Sequence, residues 1–104
     1  MSRYLLMTES SERIIAVLKA IPYARVMTYG EVAAAADLRN GARQVARLLH
    51  SLSDSLELPW HRVIKANGCI AFPPGGGLEL QASLLREEGV VVSAEGYVDQ
   101  EYFI

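Results

Sequence analysis

No helix or strand can cross Pro73-Pro74-Gly75-Gly76-Gly77. Two consecutive pyrrolidine rings remove two backbone donors and fix φ, and the three glycines that follow have no side chain to pack. The fold must therefore be assembled from short elements on either side of this loop. Upstream, Ile14, Leu18 and Ile21 recur at helical spacing, with Ile15 and Val17 widening the apolar face. They predict a helix from about Ser10 to Ala20 that Pro22 stops. Thr28-Tyr29-Gly30-Glu31 reads as a capping box, in which the Thr28 hydroxyl caps and the Glu31 carboxylate reaches back. It opens a short helix through Ala33, Ala34, Ala35 and Ala36. Asp37 to Gly41 is a turn. Asn40 is placed to cap a third helix, Ala42 to His50, with Val45, Leu48 and Leu49 facing inward and Arg43, Gln44 and Arg47 facing out.

Asn67-Gly68 is a strong hairpin signal, because both residue types tolerate positive φ. A hairpin is expected, with Val63-Ile64-Lys65 and Cys69-Ile70-Ala71 flanking Ala66-Asn67-Gly68. Beyond the proline–glycine loop, Leu78 to Glu88 is a fourth helix ended by Gly89. Val90-Val91-Val92 and Tyr97-Val98 form a terminal strand pair around Ala94-Glu95-Gly96. One domain spanning residues 1–104 accounts for all of this, with a core of modest size.

Composition narrows the function. A single cysteine, Cys69, has no internal disulfide partner, which fits a reducing, cytoplasmic setting. One cysteine and two histidines, His50 and His61, argue against a zinc site, and no other cofactor is suggested. Tyr4-Leu5-Leu6-Met7 is too short for a signal peptide or a membrane span, so a membrane partner is not expected. The net charge is −2, but it is unevenly spread. From Arg25 to Lys65 six cations face four acids, net +2; from Leu78 onward one cation faces six acids, net −5. The positive half is the half that carries the candidate site.

A short helix, a polar turn containing glycine and a helix carrying arginines make a helix-turn-helix pattern. The same pattern occurs in helical bundles that never touch DNA. The segment Pro59-Trp60-His61-Arg62-Val63-Ile64 is far more specific. It resembles the active-site segment of the O6-alkylguanine-DNA alkyltransferases, Pro-Cys-His-Arg-Val, with Trp60 in the cysteine position. Three further pieces follow the family's order and spacing: Ile21 to Val26 leading into Thr28-Tyr29-Gly30-Glu31, Ala42-Arg43-Gln44-Val45, and Leu84 to Val90. The chain is accordingly similar to the alkyltransferase-like proteins, which lack both that cysteine and the larger N-terminal domain of the full enzymes.

The resemblance implies a mainly α domain with small β-hairpins: a winged-helix-like helix-turn-helix fold like the C-terminal domain of DNA alkyltransferases. It implies recognition of O6-alkylguanine in double-stranded DNA by nucleotide flipping, with no alkyl transfer, and a handover of the lesion to nucleotide excision repair proteins. A monomer is expected. Tyr29 corresponds to the tyrosine that crowds the phosphate beside the target base. Arg43 corresponds to the arginine finger that fills the space the base leaves, a role suited to a planar cation. Thr28, Gly41, Ala42, Gln44, Ala46 and Arg47 are the remaining expected DNA contacts. Gly41, Ala42 and Ala46 are small enough to let the helix approach the minor groove. Trp60 would floor the lesion pocket, with Pro59 and Val63 as its walls.

Chemistry agrees with binding over transfer. The family's cysteine acts as a thiolate, whereas an indole N–H is a donor only and has no lone pair for attack on carbon. His61 and Glu88 correspond to the relay that deprotonates the missing thiol, and here they are expected to persist as a structural hydrogen bond. Arg62 is expected to brace the loop through backbone carbonyls. Leu52 stands where the family has an asparagine, a second departure from the enzymes. The loop beginning at Phe72 has no arginine, where several alkyltransferase-like proteins carry one. Two other readings use the same residues: a sequence-specific transcription regulator, from the helix-turn-helix alone, and a residual alkyltransferase using Cys69. The acidic stretch from Glu87 to Glu101 is the candidate docking surface for a downstream protein.

Overall fold

The computed structural model describes residues 8–104, and the Tyr4–Met7 run lies outside the described residues. Helix α1 spans Glu9–Lys19, with Thr8 as its cap: the Thr8 hydroxyl accepts from the Ser11 amide at 3.1 Å. Glu9 and Glu12 sit at its positive end and Lys19 at its negative end, each where the helix dipole favours it. Ile14 and Leu18 are fully buried on its inner face.

Strand β1, Met27–Thr28, leads directly into α2, Tyr29–Ala35. The expected capping box forms in full. Thr28 Oγ1 accepts from the Glu31 amide at 3.0 Å, and Glu31 Oε1 accepts from the Thr28 amide at 2.8 Å. Helix α3 spans Ala42–Leu56 and packs chiefly on α2. Two expectations for α3 need correction. Asn40 is not its cap: that residue adopts a left-handed φ of 54° inside the turn, and Gly41 occupies the cap position with no side-chain hydrogen bond. The helix also runs six residues past His50. Leu52 and Leu56 extend the apolar face of Val45, Leu48 and Leu49 at helical spacing, and both are partly buried against the same core. It stops at Glu57, which takes the left-handed conformation, while the Leu58 amide donates back to Ser53 O at 2.9 Å and the Leu58 side chain is buried. This is the Schellman ending, made here without glycine.

Strand β2, Val63–Ile64, pairs in parallel with β1, Met27 opposite Val63 and Thr28 opposite Ile64. Parallel neighbours need a long crossover, and α2 with α3 supplies it. The expected hairpin is therefore cut short. Its turn is present: the Gly68 amide donates to Lys65 O, the Lys65 amide donates to Cys69 O, and Asn67 Oδ1 accepts from the Cys69 amide. Only Gly68 has positive φ, 84°, so the loop is a turn ending in a glycine bulge, with Asn67 contributing its side chain instead of its backbone freedom. Past the turn, Cys69 bridges to Tyr97, and Val92 bridges to Val98 in the expected terminal pair.

Helix α4, Leu78–Glu87, follows the proline–glycine loop. Two apolar clusters result. One unites Ile14, Leu18, Val32, Val45, Leu49 and Val63 from the helical half. The other gathers Val26, Ile64, Ile70, Ala82, Leu85 and Val98 around α4. Adjacent strand residues Val63 and Ile64 point into different clusters, so the Pro59–Ile64 segment is the seam between them.

Candidate functional site

At this seam the backbone makes two tight bends. The Trp60 amide donates to Leu58 O at 2.8 Å across Pro59, whose φ and ψ of −78° and 62° are those of an inverse γ-turn. A single 3₁₀ turn, Trp60–Arg62, follows. The result is a segment with two faces: Trp60 projects toward a cleft, while His61 and Arg62 project toward α4.

The His61–Arg62 face is tied down by one carboxylate. His61 Nε2 lies 2.7 Å from Glu88 Oε2, and Arg62 donates to the same carboxylate through Nε at 3.0 and 3.2 Å and through its terminal nitrogen at 2.8 Å. The other Arg62 terminal nitrogen donates to Ile21 O at 2.8 Å, and the guanidinium lies 5.7 Å from the centre of the Tyr23 ring. Arg62 thus braces the loop through one carbonyl, as expected, but mainly through Glu88. The amide of Ala24, held at φ 63°, also donates to Glu88 Oε1, at 2.8 Å. The Glu88 side chain is only 10% exposed. Burial pushes its pKa up, but the hydrogen bonds from Arg62, His61 and Ala24 more than offset this and bring it down to about 2.

No sequence motif singles out Gln81. It is fully buried on α4, and its amide nitrogen donates to His61 O at 2.9 Å and to Val63 O at 3.0 Å, leaving its oxygen without a partner. In the sequence it looks like any polar position of an amphipathic helix. The carbonyls it satisfies come from an irregular segment whose path no local pattern specifies.

On the opposite face is an open cleft of about 520 Å³. Its walls are Tyr29 at the start of α2, Ala46, Leu49, His50, Ser53 and Asp54 along α3, and Trp60, Ala71 and Phe72 from the seam and the loop after it. Trp60 and Phe72 meet edge-to-face, with ring centroids 5.9 Å apart at 80°, an arrangement favoured by the ring quadrupoles. Burial holds the Tyr29 phenol above its ordinary pKa of 10.0, so its hydroxyl remains neutral. Of the residues expected at the pocket, Trp60 and Tyr29 line the cleft. Pro59 and Val63 do not: Pro59 forms the bend behind Trp60, and Val63 is fully buried in the helical core. Ser53 and Asp54 lie beyond the expected end of α3 at His50, and the amphipathic period continuing through Leu52 and Leu56 is the signal that extends the helix to them.

Arg43 and Arg47 are exposed one helical turn apart at the N-terminal end of the helix face that carries His50 and Asp54 further along. Neither forms an ion pair among the described residues. Ala46 is exposed between them, and Ala42 and Gln44 are half-buried. Gly41 is small for an internal reason. It is buried, and a Cβ there would stand 2.9 Å from Leu38 Cβ and 3.1 Å from Ala33 Cβ, so the close approach it permits is between α2 and α3. Thr28 is committed to the capping box and is 8% exposed. Cys69 lies apart from the cleft, buried, with its thiol donating to Glu95 O at 3.5 Å. Among the described residues no cluster of histidine, cysteine and carboxylate side chains could hold a metal ion. No helix there is long and apolar enough to cross a membrane.

Residues 9–90 match the family model described as 6-O-methylguanine DNA methyltransferase, DNA binding domain. The chain is 39% identical over 92 residues to the DNA base-flipping protein of Escherichia coli, covering 88% of this chain and 70% of that one. It is 36% identical over 87 residues to alkyltransferase-like protein 1 of Schizosaccharomyces pombe, covering 83% and 81%. Its fold superposes with a TM-score of 0.80 on the crystal structure of S. pombe Atl1 in complex with damaged DNA containing O6-carboxymethylguanine. That pair is 33% identical, over 94% of this chain and 96% of the other. Mycobacterium tuberculosis OGT in complex with DNA gives a TM-score of 0.67 at 30% identity, over 80% of this chain and 50% of that one.

Proposed function

Since this chain belongs to the family of the 6-O-methylguanine DNA methyltransferase DNA-binding domain, we propose that it recognises O6-alkylguanine in duplex DNA and holds it without removing the alkyl group. The nucleotide is turned out of the stack into the cleft beside Trp60. The observation that carries this reading is the cleft itself: an aromatic wall of Trp60 and Phe72 stands beside Tyr29 and α3, while Cys69, the chain's one cysteine, is buried elsewhere. The volume of about 520 Å³ falls within the range of roughly 300–1,000 Å³ usual for small-ligand sites, enough for one extruded base.

Each residue then has a role its chemistry suits. Trp60 offers the flipped base an apolar face and no nucleophile. Tyr29, kept neutral, stands against a phosphate without electrostatic repulsion. Arg43 enters the duplex from α3 and stacks in the vacated space. Arg47 and Gln44 contact the backbone, and Ala42 and Ala46 keep the helix surface low enough for the minor groove. His61 and Glu88 fix the segment that presents Trp60. The relatives support this reading by their names, as a DNA base-flipping protein and an alkyltransferase-like protein. The bound, everted lesion would mark a small adduct for nucleotide excision repair, with the acidic stretch Glu87–Glu101 as the surface offered to that machinery. The protein would act as a monomer in the cytoplasm.

Equilibrium competition tests the reading. An O6-methylguanine duplex is expected to displace a labelled lesion duplex at far lower concentration than the same sequence undamaged. Equal potency would refute lesion recognition, and preference for one undamaged sequence would instead favour a transcription regulator.

A further inference from the structure

The cleft holds a single carboxylate. Of its lining side chains none is lysine or arginine, and Asp54 is the only carboxylate. Asp54 is exposed on α3, one turn beyond His50, and its carboxylate joins no ion pair among the described residues. The nearest cations on the same helix face, Arg47 and Arg43, lie about two and three turns back toward the helix N-terminus, where the proposed DNA backbone would engage them. The rest of the wall is the aromatic rings of Tyr29, Trp60 and Phe72, small or apolar side chains, and one imidazole, His50, a turn before Asp54 on α3. An uncompensated carboxylate at the rim of an apolar cleft biases which ligands enter: it attracts a cationic or hydrogen-bond-donating group and repels an anionic one.

We propose that Asp54 makes this protein select O6 adducts by charge, favouring alkyl groups that are neutral or end in a cation over those that end in a carboxylate. This rests on the reading of the cleft as the site of the flipped base. Trp60 and Asp54 line the same cleft, so an O6 substituent on a base stacked against Trp60 lies within the field of the Asp54 carboxylate. The fungal relative was crystallised with the carboxymethyl adduct. On this account the present chain disfavours that adduct relative to its cationic counterpart.

The test uses one duplex sequence carrying guanine, O6-propylguanine, O6-(2-aminoethyl)guanine or O6-carboxymethylguanine, measured at one pH and low salt. The wild-type protein is expected to bind the aminoethyl duplex roughly tenfold more tightly than the carboxymethyl one. In Asp54→Asn that ratio should fall by about threefold or more, and Asp54→Lys should lower it further. Reading a ratio cancels any general weakening of the variant. If the wild-type ratio is near one, or Asp54→Asn leaves it unchanged while propyl is still preferred over guanine, charge selection by Asp54 is wrong and the lesion reading stands. If propyl is not preferred over guanine, both fail.

Discussion

The two faces of the Pro59–Val63 segment could hardly differ more. On one, His61 and Arg62 converge on the Glu88 carboxylate, which also takes the Ala24 amide, so every oxygen is engaged at 3.2 Å or less. On the other, Trp60 meets Phe72 and His61 only through ring edges and borders an open cleft. A surface proposed to admit a foreign base is expected not to be saturated with its own partners. The saturated face supplies the rigidity the open face lacks, and Gln81 adds to it from beneath by holding the carbonyls of His61 and Val63. In an enzyme of this family the histidine and glutamate would have a thiol to activate; here the same pair fixes the segment that carries Trp60.

The sharpest way to break that contrast is to remove one partner from each face. Glu88→Ala leaves the Arg62 guanidinium, 16% exposed, without its counter-charge. It is expected to cost about 3–5 kcal/mol of unfolding free energy in urea melts. Trp60→Ala should cost less, because Trp60 is only partly buried against the helical core, borders the open cleft, and its loss strands no buried charge. Equal losses would mean that the two faces are equally structural.

Acid probes the same carboxylate without mutation. Glu88 titrates near pH 2 when folded and near the ordinary 4.5 when unfolded. A depressed folded pKa means the unfolded state binds the proton more tightly. The contribution, on the order of 3 kcal/mol, is therefore complete above about pH 4.5 and is lost as pH falls toward 2. Wild type should lose stability through that window, and Glu88→Gln should have a much flatter profile there. Parallel profiles would place the acid sensitivity elsewhere.

How much of this was legible beforehand follows from how local each cause is. The Thr28–Glu31 box could be read from four residues because both its hydrogen bonds are made within them. The periodic helices and the Asn67-Gly68 turn were legible for the same reason. The pairing of β2 with β1 was not, since its partners lie 36 residues apart, Met27 with Val63, and the intervening helices decide their register. Trp60 and Tyr29 were placed in the pocket by resemblance to a known motif. The Ser53–Asp54 part of the wall requires knowing where α3 ends, and that depends on Glu57 accepting a left-handed conformation usually left to glycine or asparagine. The internal need for a glycine at Gly41, set by the nearness of Leu38 and Ala33, becomes visible only once α2 and α3 pack.

Smaller effects sharpen the comparison on the open face. Trp60→Ala and Arg43→Ala should each weaken binding to an O6-methylguanine duplex by roughly 10- to 100-fold, as expected for loss of a stacking platform or an inserted arginine. Arg43→Ala should melt like wild type, because its side chain is exposed and unpaired among the described residues. Arg47→Ala should shift affinity less and reduce the slope of log affinity against log salt by about one, the mark of a single phosphate contact. An Arg47 effect that ignores salt would argue against a backbone contact.

The central claim is recognition without transfer, and intact-mass spectrometry tests it most directly. The protein is held with excess O6-methylguanine duplex until binding is complete, denatured and weighed, and the DNA strand is digested and its modified base counted. The account predicts an unchanged protein mass and full recovery of O6-methylguanine. A protein heavier by one methyl group with a matching loss of the lesion, or any conversion of lesion to guanine, would contradict it.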